Sequence, residues 1–342
     1  MSIKKIVILA GVSIIALFIL AACAGPAGPV GPAGPAGPVG PAGPAGADGK
    51  IPAAADLTCT QCHNGTDLLS SKAEEWQTSQ HGVGELFIGE GYNPSCAGCH
   101  SGGGFSDMIA ANLTPDKVTA GDPHPSRQDC RACHVIHTTY TKADFALRTT
   151  APVAQFATAS TYDGGDGNLC ANCHQARRAL AAPATDGTIK VDSTHWGPHH
   201  GPQSDMLLGV GGSPDVKGAP SPHYTAVTDT CVACHMGGKG EAADHTFTPN
   251  VDNCTKCHAD AQNFDMNGSV TALEAKVATL KTALTTAGLL DKNGAPVVGT
   301  YPAAKAGALW NYLLVAIEDK SNGVHNMPYA EALVDAALAA LK

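Results

Sequence analysis

One five-residue pattern constrains this chain more than any other feature. C-x-x-C-H occurs at Cys59-Thr-Gln-Cys62-His63, Cys96-Ala-Gly-Cys99-His100 and Cys130-Arg-Ala-Cys133-His134. It recurs at Cys170-Ala-Asn-Cys173-His174, Cys231-Val-Ala-Cys234-His235 and Cys254-Thr-Lys-Cys257-His258, so six copies use twelve of the 13 cysteines. Two thiols three positions apart share one helical turn and match the two vinyl groups of a protoporphyrin. The next histidine then falls under the iron as proximal ligand. The pattern predicts six covalently attached haem c groups, with His63, His100, His134, His174, His235 and His258 on the irons. Structural zinc would use cysteine pairs, but it does not ask for a histidine after every second cysteine. Disulfides across C-x-x-C belong mostly to redox enzymes, not to six repeated staples.

From Cys59 to His258 the chain offers 200 residues, about 33 for each motif. Segments below about 40 residues do not build a core without staples or metals. The macrocycles must therefore pack against one another and supply much of the interior. Aromatic residues at 5% and charged residues at 15% agree, the latter against roughly 25% in ordinary soluble domains. The expected fold is mainly α with much irregular coil: a haem-templated multihaem cytochrome c domain over residues 52–267, then C-terminal antiparallel helices over 268–342.

Nine of the 15 histidines lie outside the motifs. They are enough to give six irons a second imidazole. His81 ends the helix-like run Glu74–Gln80. His137, three residues after His134, shares its helical face and would reach a neighbouring iron. His223 in Ser-Pro-His-Tyr, His245 in Asp-His-Thr-Phe and His325 in Gly-Val-His-Asn are further axial candidates. The cluster His195-Trp-Gly-Pro-His199-His200 supplies at least one ligand, with His199 and His200 favoured. His124 and His195 stay open. Five methionines remain outside the leader, and Met236 directly follows a proximal histidine, so bis-histidine ligation and low potentials dominate.

The N-terminus reads as an address. Lys4 and Lys5 precede the apolar run Ile6–Leu20, and Leu20-Ala21-Ala22-Cys23 has the form of a lipobox. The expectation is a leader over residues 1–22 and lipidation of Cys23, which accounts for the thirteenth cysteine; acyl chains there anchor the protein to a membrane. From Gly25 to Ile51 run nine triplets that begin with glycine, seven of them Gly-Pro-Ala or Gly-Pro-Val. This collagen-like tract, residues 23–51 with Cys23, reads as a single-chain polyproline-II stalk of roughly 80 Å. A trimer through a short triple helix is the alternative. Without Lys4 and Lys5, 19 basic side chains face 30 acidic ones, a net charge of −11. Nucleic-acid binding through a basic surface is excluded on that balance.

After the last motif, Val270, Leu273, Val277, Leu280 and Leu284 recur at helical spacing, predicting a helix from Ser269 to Leu290 capped by Ser269. Two more are expected over Ala303–Asp319 and Pro328–Leu341, with Pro328 in the first turn. The loop between them carries His325, which would pin the tail to the haem domain.

The six motifs, the segment Thr194-His-Trp-Gly-Pro-His-His-Gly-Pro-Gln203, Cys231-Val-Ala-Cys-His-Met236 and the Gly-Val-His-Asn tail resemble multihaem c-type cytochromes of anaerobic respiring bacteria. With the lipobox, the chain is similar to outer-membrane cytochromes of metal-reducing bacteria. The tail also resembles the C-terminal region of pentahaem nitrite reductases. Those enzymes carry C-x-x-C-K at the catalytic haem, a motif missing here. The resemblance implies an electron carrier, exported and lipid-anchored to the outer membrane. It would work between periplasmic carriers and an outer acceptor, with other cytochromes, outer-membrane conduit proteins or metal ions and oxides as partners. A reductase of a nitrogen or sulfur oxyanion, with one open-site haem lined by Arg177 and Arg178, is the competing class, and a cytochrome filament a third.

Overall fold

The computed structural model describes residues 67–199, 201–237 and 243–342. The leader, Cys23, the stalk, the first motif (Cys59, Cys62, His63) and His200 lie outside the described residues. Those described fall within one compact unit, Ala53–Lys342.

The first half is a succession of short helices joined by capped turns. The helix Asp67–Thr78 stops at Ser79, whose hydroxyl accepts from Gly82 N at 3.1 Å and starts the turn Gln80–Val83 that carries His81. Asn93 caps the helix Pro94–His100 through Ser95 N at 3.1 Å, with Pro94 in the first turn. The buried Asp122 carboxylate then joins two segments. It accepts from the Ser101 hydroxyl at 2.5 Å, Gly104 N at 3.1 Å and His124 N at 2.8 Å. Side-chain cores here are small: Phe105, Met108, Ala132 and Leu169 form one, and Val153, Tyr162, Ala171, Leu207 and Leu208 another. The latter includes residues of the hairpin β1 (Val153–Gln155) and β2 (Ser160–Tyr162), paired Val153 to Tyr162.

The helical face expected to carry His134 and His137 does not form. The helix is one turn, Cys130–Cys133; His134 is extended at φ −114° and His137 is left-handed at φ 61°. The cause is Asp144, whose carboxylate accepts from Thr138 N, Thr139 N and Tyr140 N at 3.1, 2.7 and 3.1 Å. A side chain that gathers three successive amides competes with continuation of the helix.

The second half holds the helices expected over 268–342, and their core reaches back to Ile189, Val191, Trp196 and Met206. Its helices, Ser269–Thr286, Ala303–Tyr312 and Met327–Ala340, build a side-chain core around Leu273, Leu280, Leu284, Leu309, Trp310, Leu314, Leu333 and Val334, all at most 2% exposed. Trp196 meets Trp310 edge-on at 5.1 Å, adding a favourable aromatic contact. The strand β3 (Thr188–Val191) pairs antiparallel with β4 (Gly299–Pro302), Thr188 opposite Pro302, and so sews the tail to the middle of the chain. The low aromatic content underestimated this core because leucine and alanine fill it.

Ser269 is not the cap of its helix. Gly268 takes the left-handed cap position at φ 75°, and the Asp265 carboxylate accepts from Val270 N at 2.7 Å and Thr271 N at 3.3 Å. The helix Ala303–Tyr312 widens into a π turn, Leu313–Asp319, ended by Lys320 at φ 58°. The Asn326 side-chain amide then donates to Met206 O at 3.0 Å and Ala219 O at 2.9 Å, fixing the start of the last helix.

Two glycines separate backbone strain from crowding. Gly323 has φ +87°, and a Cβ there would stand 2.6 Å from Leu273 Cδ2 and 2.8 Å from Met327 Sδ, whereas Gly288 at φ +73° faces open space. Gly288→Ala should cost about 1 kcal/mol from the left-handed backbone alone. Gly323→Ala should cost clearly more, on the order of 2–4 kcal/mol, because the core must also move. Urea midpoints of the two variants would show the difference; equal costs would mean that the crowding is relieved freely.

Asp205 yields a pH prediction. It is 0% exposed, accepting from Ala176 N at 2.6 Å and the Thr158 hydroxyl at 3.0 Å. Burial outweighs these bonds and raises its carboxyl to about 6. The folded state thus holds this proton more tightly than the unfolded chain does. The resulting stabilisation is present below about pH 4 and lost by about pH 6, up to about 3 kcal/mol. Asp205→Asn removes it, so variant-minus-parent stability should rise from pH 4 to pH 7 in urea titrations. A difference that stays constant with pH would contradict the assignment.

Candidate haem-binding site

Each of the five described motif histidines faces a second histidine. His174 faces His81 and His100 faces His199, with ring centroids 6.2 Å apart in both. His134 faces His245 at 6.2 Å, His258 faces His223 at 6.3 Å, and His235 faces His325 at 6.3 Å. Imidazole–metal bonds of about 2 Å on both sides, with the ring radii added, place two coaxial ligands roughly 6 Å apart. Packed imidazoles have no reason to repeat one spacing five times. A shared metal between them does.

The ring hydrogen bonds fix which nitrogen is free. His134 Nδ1 donates to Phe145 O at 2.7 Å, His235 Nδ1 to Phe247 O at 3.0 Å and His223 Nδ1 to Val324 O at 2.7 Å. His245 Nδ1 donates to Ala243 O at 3.1 Å, and His174 Nδ1 to Gln203 Oε1 at 3.0 Å. His325 Nδ1 donates to a carboxylate, Asp319 Oδ1, at 2.6 Å. An oxygen of these kinds only accepts, so Nδ1 carries the proton and Nε2 presents its lone pair, the tautomer of a metal ligand.

Electrostatics favour the neutral ring at His81 and His245 and oppose it at His325. Burial, with the His174 ring second, lowers His81 to about 4. Burial also lowers His245. For His325 burial acts downwards, but the Asp319 carboxylate overcomes it and the net direction is up. Glu75 accepts from His245 N at 2.9 Å and so ties the first helix to that ligand.

The cysteines lie beside these rings. A cavity of about 1230 Å³ is lined by Cys96, Cys99 and His100, by Cys130, Cys133 and His134, and by Cys170, Cys173 and His174. His81, His199 and His245 line the same cavity, with Trp76, Phe105, Phe145, Phe156 and Phe247 adding apolar wall. Three motifs and three facing histidines thus share one space. Neighbouring motifs also touch: Cys173 Sγ lies 3.8 Å from Gly98 O of the second motif, and Cys231 packs against the small core that holds Ala171 of the fourth. Paired thiols, opposed imidazoles and an apolar wall fit a haem c that is attached covalently and ligated on both faces.

Among the described residues the ten motif cysteines form no disulfide, and no group of three or more His, Cys, Asp or Glu side chains converges on a metal position. His137 sits on the exposed loop shaped by Asp144, its ring stacked on Tyr140 at 5.8 Å and 12°. His124 and His195 are exposed. Arg178 is exposed too, whereas Arg177 lines the cavity, its guanidinium 3.9 Å from Cys96 Sγ. Asp319, Gln203 and Glu75 hold ligand histidines, yet the sequence did not single them out. None lies in a motif, and each acts across a turn or a long loop.

The fold and the geometry of these centres are similar to those of multihaem c-type cytochromes, proteins in which haem c is bound covalently. The cytochrome c3 family matches residues 51–146, the stretch containing the first three motifs. The outer cell wall cytochrome OcwA shares the fold, with a TM-score of 0.52 and 24% identity, over 79% of this chain and 50% of that one. The undecahaem cytochrome from the S-layer of Carboxydothermus ferrireducens aligns with a TM-score of 0.44 and 20% identity, over 79% of this chain and 39% of that one. The chain thus spans about half the length of OcwA. No curated protein matches the sequence at a significant level. Among the described residues no helix is long and apolar enough to cross a membrane.

Proposed function

We propose that the chain is an electron carrier that holds six haem c groups, mostly with two histidines on each iron, and does no bond chemistry of its own. Bound haem iron supplies a one-electron ferric–ferrous couple, and closely packed macrocycles exchange electrons. The supporting observation is the repeated 6.2–6.3 Å spacing between motif and facing histidines. On this reading His81, His199, His223, His245 and His325 are the second axial ligands. His137 and His200, also expected as ligands, are the alternatives for the iron of the first motif.

The residues divide the work. The cysteine pairs anchor each group, the facing imidazoles close both axial positions, and the Nδ1 acceptors hold ring orientation. The aromatic wall excludes water, which favours low reorganisation and keeps small ligands off the iron. A reductase would need a motif histidine with an open opposite side; among the described residues each motif histidine has a ring there.

The lipobox at Cys23 and the Gly-Pro stalk support an exported, lipid-anchored protein held away from the outer membrane, and the likeness to an outer cell wall cytochrome agrees with an exterior placement. Electrons would pass from periplasmic carriers to an outer-membrane or extracellular acceptor. Acidic side chains and haem propionates would steer basic or metal-bearing partners and metal ions to the surface.

The ferric protein should be entirely low-spin, with six haems per chain by alkaline pyridine haemochrome and no cyanide-induced change in the visible spectrum. A high-spin haem that binds cyanide or nitrite would sink the carrier reading in favour of a reductase. The ring planes sharpen this test. Three pairs cross at 67°, 83° and 76°, and two lie at 35° and 42°. Crossed planes leave the iron d-orbitals nearly degenerate, so electron paramagnetic resonance should show both large-g and rhombic low-spin signals. Separately, Cys23→Ser should move the protein to the soluble fraction; retention in the membrane would remove the lipid anchor.

A further inference from the structure

The loop at residues 319–326 joins two helices of the tail and serves two facing pairs at once. Val324 O accepts from His223 Nδ1 at 2.7 Å, while His325 faces His235. Its first residue, Asp319, closes the π turn with its side chain 0% exposed. Oδ1 lies 2.6 Å from His325 Nδ1. Oδ2 accepts from the Ser321 hydroxyl, and Ser321 Oγ in turn accepts from His325 N at 3.2 Å. Among the described residues no lysine or arginine is ion-paired with this carboxylate.

Of the six ring hydrogen bonds at facing histidines given above, five end on neutral oxygens and one on an anion. A carboxylate on Nδ1–H pushes electron density through the ring to the metal and stabilises its higher oxidation state. Burial leaves that charge poorly screened. The position of the pair matters as well. Cys231, in the His235 motif, packs against the small core that holds Ala171 of the fourth motif, and the Asn253 side-chain amide, next to Cys254, donates to Cys234 O at 3.5 Å. The His235–His325 pair therefore stands between the cluster around the shared cavity and the motif that ends in His258.

We propose that Asp319 is a positioning residue that sets the iron between His235 and His325 at a lower potential than the irons on either side, making that centre an uphill step on the route between them. The inference rests on the electron-carrier reading and on His325 as an axial ligand. The step moves one electron and nothing else, so its balance needs no further reactant.

The test is a spectroelectrochemical titration of the full, haem-loaded protein, followed by magnetic resonance so that each signal is tracked. His325→Met identifies the centre: one potential rises while six haems are retained. Asp319→Asn keeps an oxygen on Nδ1–H and removes the charge. At fixed applied potential it should raise the ferrous-to-ferric ratio of that same centre on the order of tenfold, equivalent to about 59 mV for one electron. Asp319→Glu should bring the ratio back towards the parent value. Asp335→Asn, which removes an exposed carboxylate paired with Lys276, should move nothing. If Asp319→Asn fails to load haem, Ser321→Ala frees the same carboxylate of its hydroxyl donor and should shift that centre downwards. A shift with His325→Met but none with Asp319→Asn or Ser321→Ala would overturn the inference and leave the carrier reading intact. No shift with His325→Met would overturn the ligand assignment, and the inference with it.

Discussion

Two imidazoles held face to face, far apart in sequence and about one metal apart in space, are the interaction on which the first half of this fold depends. The pairs His81–His174, His100–His199 and His134–His245 each close a long loop over segments whose own side-chain cores hold only four or five buried residues. Helices of four to nine residues do not persist by propensity alone. With the proposed ligation, cross-links through a metal would offset that deficit, because ligand sets that come together only on folding convert binding energy into folding energy. Short capped turns are then an advantage: each needs only to aim one ring or one thiol pair, not to bury a continuous stripe.

The second half follows a different economy. Leucine and alanine stripes pack three helices against β3, and the result is a rigid block needing no cofactor for its interior. Its contribution to the site is confined to the segment where the π turn ends. There a one-residue excess in the helix rotates Asp319 inward under His325, and the tight left-handed run Lys320, Asn322, Gly323 turns the chain back within a few residues. Wide turns of this kind are commonly kept where a side chain must be re-aimed. A stiff scaffold at this point gives a fixed ring orientation to the His235 centre, while Val324 does the same for the neighbouring one.

How much of this was legible in the sequence depended on the range over which each signal acts. The motifs are local and self-defining, and the apolar spacing of the tail gave helix bounds within a few residues of Ser269–Thr286 and Met327–Ala340; the expected Ala303–Asp319 is matched only by Ala303–Tyr312 together with the π turn Leu313–Asp319. Individual histidines stood out, but not which motif each would face, since that pairing is set by tertiary closure over many tens of residues. Spacing misled at His137, where three residues suggest a helical face but Asp144 diverts the amides into a loop. It misled again at Ser269, where Asp265 reaches past the glycine to cap the helix. Asp319 carried no local signal: an acidic residue six positions before a histidine is common, and only the π turn brings it beneath the ring.

The contacts between motifs bear on how electrons would travel in a carrier of this kind. The fourth motif has contacts on several sides: Cys173 Sγ lies 3.8 Å from Gly98 O of the second motif, Cys173 and Cys133 pack on one small core, and Ala171 shares another with Cys231. On the proposed reading the fourth centre would be a junction and not a link in a simple line: centres two and three would approach it separately, and the path onward would leave through the centre between His235 and His325. Motifs two and three share one cavity with the fourth. If the proposed ligation holds, passage beyond that junction would cross the centre between His235 and His325, where His325 rests on a buried carboxylate, and rate control would fall on Asp319, a residue that is neither a motif cysteine nor a proposed axial ligand.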